Sequence, residues 1–379
     1  MVASAVVGRG SSMPPSRQIH LPALDGLRAV AAIVVFLWHY VAFPYGWAGV
    51  DAFFVLSGFL ITGILYDSVD NEHRYRTFYI RRSVRIFPVY YAVLLVMYIY
   101  VLARHRHESW AMLIWPAYLG NYARVLFPQL DLQSFFNLNN GHFWTLCVEE
   151  QFYLLWPAVV YSLRSRVALL RICVVAIVIL PIARFLVLRF YPQAIESDLV
   201  FRGTPFRCDA LLTGAACALL LRGPERQVLL RFRRLITVSA GSVLLVSAVV
   251  VRFVMGTRTT EAQQPWMITW GLTFVDLFSA GLVLCCVDRE SRTGKALSHP
   301  VLRRFGAMTY AFYVFHLIPI TFFFRLGTEL EKRHVPQVLS TVLVTGAAFL
   351  STLLASSLSF RYFEAPLNAL KNRWAPSRS

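Results

Sequence analysis

Apolar runs of about 20 residues recur from one end of the chain to the other, separated by short polar stretches rich in arginine. A helix of that length covers the hydrocarbon core of a bilayer. The runs are continuously apolar rather than alternating, so they predict helices and not the strands of a barrel. Ten spans are expected, near residues 22–42, 48–66, 86–103, 143–161, 168–188, 206–221, 235–255, 266–287, 306–326 and 336–360. The fold class is all-α, a polytopic membrane protein with about ten transmembrane helices. The stretch 108–141 departs from the pattern. It is aromatic, is interrupted by Pro116 and Pro128, and ends in the Asn-rich run from Asn137 to Asn140. A long external loop, partly re-entrant, is expected there, between the third and fourth spans. The chain then divides into a disordered N-terminus at 1–18, one transmembrane domain at 19–367 and a tail at 368–379.

Composition agrees with this reading: 57% of the 379 residues are hydrophobic, above the usual share for a soluble protein. The net charge of +17 does not point to nucleic acid, because the basic residues punctuate the ends of apolar runs instead of forming one soluble patch. That is how cytoplasmic loops are marked. With the N-terminus inside, the inner segments are 1–21, 67–85, 162–171, 222–234, 288–304 and 361–379, and they hold 24 of the 37 Lys and Arg residues. Both termini are therefore expected in the cytoplasm. No cleavable leader is expected, since the first apolar run contains Asp25 and Arg28. The cysteines Cys147, Cys173, Cys208, Cys217, Cys285 and Cys286 show no CxxC spacing, so neither a metal site nor a disulfide framework is indicated. Only a short tail follows the tenth span, which places the expected chemistry within the membrane domain.

Ionisable groups inside spans are costly and mark function by default. The first span holds Asp25, Arg28 and His39. Arg28 and His39, eleven residues apart, fall within roughly 20° of one helix face and about 16 Å apart along the axis, so they line one path without touching. Asp25 is placed to pair with Arg28. The second span opens with Gly-Val-Asp-Ala-Phe-Phe-Val-Leu-Ser-Gly-Phe-Leu from Gly49, with Asp51 near its outer end. Ser57 is a candidate nucleophile, but no base flanks it in sequence, so Gly49, Ser57 and Gly58 read rather as small residues for close packing. Arg81, Arg82 and Arg85 stand where a cytoplasmic loop enters the third span. They suit either phosphate clamping or anchoring of the span. The fourth span opens with His142-Phe-Trp-Thr-Leu-Cys-Val-Glu-Glu-Gln-Phe-Tyr. One of Glu149 and Glu150 is expected to face a cavity and the other to hold a helix contact with an intramembrane arginine. Arg207 and Asp209 open the sixth span, and His316 sits within the ninth. With Asp25 and Asp51 these are candidate cavity residues. Arg361 and Glu364 read as a structural pair at a helix end.

Taken together, these motifs resemble the membrane-bound acyltransferase-3 family, which contains bacterial O-antigen and exopolysaccharide O-acetyltransferases. The resemblance runs from Leu21 to Leu367. It rests on Arg28-(ten residues)-His39, the Gly49 motif, Arg82-x-x-Arg85 before Ile-Phe-Pro, the His142 motif, and Phe363-Glu-Ala-Pro. The resemblance implies an acyl-coenzyme A co-substrate at the cytoplasmic face of a bacterial inner membrane and no bound cofactor. It also implies a glycan or other hydroxyl-bearing acceptor. Arg28 and His39 match the pair essential in that family, and Arg82 and Arg85 match its basic cytoplasmic element. Ala365 and Thr145 depart from residues common there. This sequence shows no SGNH esterase-like segment of the kind some relatives append. In the expected mechanism Arg81, Arg82 and Arg85 bind the coenzyme A phosphates, and the pantetheine arm follows the lane of Arg28. His39 acts as general base or transient acyl carrier, Glu149 or Glu150 orients a histidine or holds the proton, and His142 counts among the catalytic candidates. The competing class is a proton-coupled transporter of glycan or lipid intermediates, disfavoured by the absence of an internal repeat.

Overall fold

The computed structural model describes residues 21–103, 109–129, 134–135, 138–195, 197–250, 264–288 and 290–374. The disordered N-terminus expected at 1–18 lies outside them. The helices are α1 (Pro22–Val41), α2 (Gly49–Asp67), α3 (Arg74–Ala103), α4 (Ala123–Leu126), α5 (Trp144–Leu163), α6 (Arg166–Phe190), α7 (Leu199–Arg202) and α8 (Thr204–Leu220). After them come α9 (Arg226–Val249), α10 (Leu272–Val287), α11 (Arg292–Leu297), α12 (Pro300–Phe315), α13 (Ile320–Lys332), α14 (Gln337–Ser359) and α15 (Ala365–Trp374). A two-residue antiparallel ladder pairs Ser134 with Asn139 and Phe135 with Leu138. The chain is an all-α membrane protein. Seven of the described helices are long and apolar enough to cross a bilayer, and the pair α12–α13 makes an eighth if it is one span. The other two expected spans coincide with α8, which is short at 17 residues, and α5, whose apolar run is interrupted by Glu149 and Glu150. Both of these helices carry many buried residues, so their polar groups meet protein rather than lipid.

The ninth span was expected to be continuous over 306–326. It is instead broken: α12 ends at Phe315, and α13 leaves at an angle of 80° after four residues. Pro319 immediately before α13 cannot donate a backbone hydrogen bond, which stops one helix from running through. His316 is thus at a break, not within a helix.

Close approach of backbones fixes the centre of the bundle. A Cβ on Gly58 of α2 would lie 1.8 Å from the Leu211 carbonyl oxygen of α8, and one on Gly214 of α8 would lie 1.9 Å from that of Val55. No side chain fits at either place. Gly26 of α1 meets the Leu297 carbonyl and Gly306 of α12 meets that of Asp25 in the same way. Such small-residue contacts drive helix association where lipid offers no hydrophobic force. The main core unites side chains of α2, α5, α6, α8 and α10. A second core joins α1, α12, α13 and α14. By contrast α9 buries only Ala240. The described part of the long connection before α5 folds back onto the bundle. Trp115 is fully buried, its carbonyl accepts from the Tyr90 hydroxyl (2.8 Å), and Gln151 of α5 donates to the Tyr118 carbonyl (2.7 Å).

Candidate active site

A cavity of about 90 Å³ opens between α1, α2, α3, α5 and α12. Arg28, Ser57, Arg82, Arg85, Glu149, Tyr153, Tyr310 and Tyr313 supply most of its polar lining, against Phe53, Phe54, Leu60 and Leu146. Arg28 forms the expected ion pair with Asp25 (3.0 Å) while still lining the cavity; Asp25 itself does not line it. Arg82 lies over the Tyr153 ring, 4.8 Å from its centroid. Arg85 is exposed although it lines the cavity, and Arg81 does not line it. Of the two glutamates it is Glu149 that faces the cavity, where its Oε1 accepts from the Ser57 hydroxyl (2.5 Å). The expected bond from Glu150 to an arginine is not seen: its Oε1 is buried without a partner. The helix contact is made instead by the next residue, Gln151, with Tyr118, Asn121 and Thr204.

Beyond the cavity lie three histidines. The His316 ring is 5.3 Å from that of His39 and 4.8 Å from that of His142, centroid to centroid. Tyr313 and Thr145 stand between the cavity and the histidines, the Tyr313 ring being 5.3 Å from those of both His142 and His316. They line the cavity, their hydroxyl oxygens are 2.7 Å apart, and both reach the His142 carbonyl (3.2 and 3.0 Å). The cluster is held by the break after α12. Carbonyls freed where a helix stops inside a membrane need partners. Here the ring of His142 donates to the Val314 carbonyl (3.0 Å), that of His316 to Tyr313 (2.6 Å), and the Tyr40 hydroxyl to His316 (2.9 Å). Those bonds also choose the tautomers. His142 Nε2 and His316 Nδ1 carry the protons, so the buried His142 Nδ1 and His316 Nε2 present lone pairs with no protein partner. Neither glutamate bonds a histidine among the described residues; backbone carbonyls orient the rings, contrary to the role expected of Glu149 or Glu150. His39 is half-buried and makes no side-chain hydrogen bond among the described residues. Arg202 of the short helix α7 is nearby, and burial lowers its pKa from the ordinary value against the pull of Asp198.

Asp51, Arg207 and Asp209, expected as cavity residues, do not line the cavity. They belong to a separate buried charge network. Arg207 donates to Asp51 (2.6 Å), and Arg184 of α6 donates to Asp209 (2.7 Å). The Arg207 guanidinium lies 5.4 to 5.7 Å from the ring centroids of Phe201, Phe54 and Trp144. Arg184 also takes the Thr269 carbonyl (3.0 Å), which sits in the π-helical turn Met267–Gly271 before α10. A π turn leaves carbonyls without their helical partners. Asp276 of α10 completes the cluster, fully buried beside Asp51 and Asp209. The sequence reading passed over Arg184 and Asp276, though each was a charge within an expected span.

Comparison with known proteins gives the family. The family model described as an acyltransferase domain matches residues 21–361. The peptidoglycan O-acetyltransferase OatA of Listeria monocytogenes is 29% identical over 92% of this chain and 56% of its own length. The putative peptidoglycan O-acetyltransferase YrhL of Bacillus subtilis is 27% identical over 92% of the chain and 55% of its own length. A putative O-acetyltransferase of Staphylococcus aureus is 25% identical over 94% of the chain and 59% of its own length. The chain thus spans a little over half the length of these curated relatives. No solved structure matches it.

Proposed function

The chain belongs to the acyltransferase-3 family, and from that premise we propose that it moves an acetyl group from acetyl-coenzyme A to a hydroxyl of a glycan at the far side of a bacterial cytoplasmic membrane. The observation that carries this reading is the cavity, which brings Arg28, Arg82 and Arg85 from two helices around Ser57 and Glu149. Guanidinium groups at such a mouth suit the phosphates of coenzyme A. The apolar walls suit the pantetheine arm. His39, beyond Tyr313 and Thr145, then serves as the general base that takes the acceptor's proton. Its neighbours His142 and His316 offer lone pairs rather than protons, which fits a site that receives a hydroxyl. A glycan acceptor is chosen because the relatives are named for acetylating peptidoglycan.

The test is donor binding. With Arg82 and Arg85 both changed to Ala, the purified protein is expected to bind acetyl-coenzyme A at least tenfold more weakly while remaining folded. Each lost charge-assisted hydrogen bond is worth about 1.5–3 kcal/mol. Unchanged affinity by calorimetry would leave these arginines as anchors of α3, whereas a wild type that binds no acetyl-coenzyme A would favour the transporter reading.

The orientation is a second expectation. Donor entry from the cytoplasm requires the 67–85 loop to be inside, in line with 24 of 37 basic residues on that side. Reporter fusions after Arg76 and after Ser379 are expected to be active only as cytoplasmic reporters. Periplasmic activity at either position would reverse the assignment.

A further inference from the structure

We propose that Ser57 is a covalent acyl carrier, with Glu149 as its base, receiving the acyl group from the thioester donor and holding it as an ester before the acceptor is served. The proposal rests on the acyl-coenzyme A reading above and adds an intermediate to it.

The direction of the Ser57 hydroxyl is the first support. Serines in membrane helices commonly donate to a carbonyl one turn back, as Ser356 does to Thr352 (2.6 Å) and Ser357 to Leu353 (2.8 Å) in α14. Ser57 instead crosses to α5, with its Oγ 2.5 Å from Glu149 Oε1 and 2.8 Å from the Tyr153 hydroxyl. A nucleophile hydrogen-bonded to a base, both in one cavity, is the arrangement that activates a hydroxyl. Arg28, Arg82 and Arg85 line the same cavity, and guanidinium groups beside the nucleophile suit the charge of a tetrahedral oxyanion.

The second support is position. Ser57 shares its cavity with Arg28, Arg82 and Arg85 on one side and with Thr145 and Tyr313 on the other, and the Tyr313 ring lies 5.3 Å from those of His142 and His316. Ser57 is thus placed between the donor arginines and the histidine cluster. An ester on Ser57 separates the two half-reactions and lets coenzyme A leave before the acceptor engages.

The chemistry balances without a further reactant. Glu149 takes the Oγ proton as Oγ bonds to the thioester carbonyl carbon. Collapse of the tetrahedral intermediate breaks the carbon–sulfur bond, and Glu149 passes its proton to the departing sulfur, giving free coenzyme A thiol. In the second half the acceptor hydroxyl attacks the ester carbonyl and the carbon–Oγ bond breaks. The proton that the acceptor gives up ends on Oγ and restores the serine.

The experiment incubates the purified full chain in lipid nanodiscs with labelled acetyl-coenzyme A and no acceptor, then quenches in acid and maps peptides. One acetyl group on the peptide containing Ser57 is expected. Glu149→Gln should slow that labelling at least about 100-fold, the usual scale of a lost general base. Ser57→Ala should abolish label and transfer. Ser57→Cys, which keeps size and fold, should carry the label as a thioester released by neutral hydroxylamine. A wild-type protein that binds the donor but carries its label on His39 overturns the proposal. So does one whose Ser57→Ala variant transfers at the normal rate, and the donor reading survives either result. A wild type that binds no acetyl-coenzyme A overturns the donor reading itself.

Discussion

His39→Gln is expected to reduce acyl transfer by roughly 100- to 10,000-fold, the range a general base contributes, while leaving acetyl-coenzyme A affinity close to normal. The two effects separate because His39 does not line the cavity that holds Arg28, Arg82 and Arg85. Gln keeps much of the size and some hydrogen bonding but cannot accept and release a proton near neutrality. Among the described residues His39 makes no side-chain hydrogen bond, so the substitution leaves none of their buried groups unpaired. If acyl transfer passes through Ser57, the variant should also accumulate the acylated form, since only the second half-reaction is blocked. His316→Gln is a useful contrast. It removes the bond to the Tyr313 carbonyl at the end of α12, and a buried carbonyl left unsatisfied costs about 1–3 kcal/mol. Its loss should therefore appear in thermal stability as well as rate. The measurement is transfer of labelled acetyl groups in membranes holding each variant at equal abundance. Full activity in the His39 variant would pass the role of base to a group within the cavity, with Glu149 first.

Arg207→Met is expected to destabilise the protein by about 3–5 kcal/mol, the scale for breaking a buried ion pair from one side. The Arg207 side chain is 1% exposed and that of Asp51 is fully buried. Met preserves the bulk that fills the space between Phe54, Trp144 and Phe201 but leaves the Asp51 carboxylate without its cation. A second change, Asp51→Asn, should recover a large part of the loss, because the uncompensated charge and not the missing contact dominates the penalty. Thermal unfolding in one detergent, followed by intrinsic fluorescence, reads both variants. A single Arg207→Met protein that melts with the wild type would show that Asp51 does not depend on that arginine.

The helical architecture was legible because each span is written locally, in about 20 consecutive residues. Other features depended on signals that were present but weak. Pro319 stood inside the ninth apolar run, yet the run itself stayed apolar across the break, so hydropathy alone masked it. Arg184 and Asp276 were visible as charges within spans, but their partners come from α8, α2 and the π turn before α10, which no local pattern announces. Ser57 was read as a packing residue beside Gly58 because its base is 92 residues away on α5. The sequence separated the two glutamates by helix face, and the cavity indeed takes only Glu149. It could not show that Arg28 lines the cavity while His39, on the same face of α1, does not, because Thr145 and Tyr313 from other helices line the cavity on the histidine side.

The glycine contact between α2 and α8 bears on how the protein moves during turnover. With Gly58 and Gly214 each set against the other helix's backbone, α2 and α8 cannot slide past one another without collision. Ser57, adjacent to Gly58, therefore belongs to the stationary part of the machine. Tyr313, which lines the cavity, lies on α12 two residues before its end at Phe315. There the outgoing carbonyls are held by side chains of Tyr40, His142 and His316 rather than by a continuing helix. Side chains can release carbonyls where a continuing helix cannot, so a collective helix motion, typically on the microsecond to millisecond scale, would fall to the α12–α13 elbow before it fell to the α2–α8 frame.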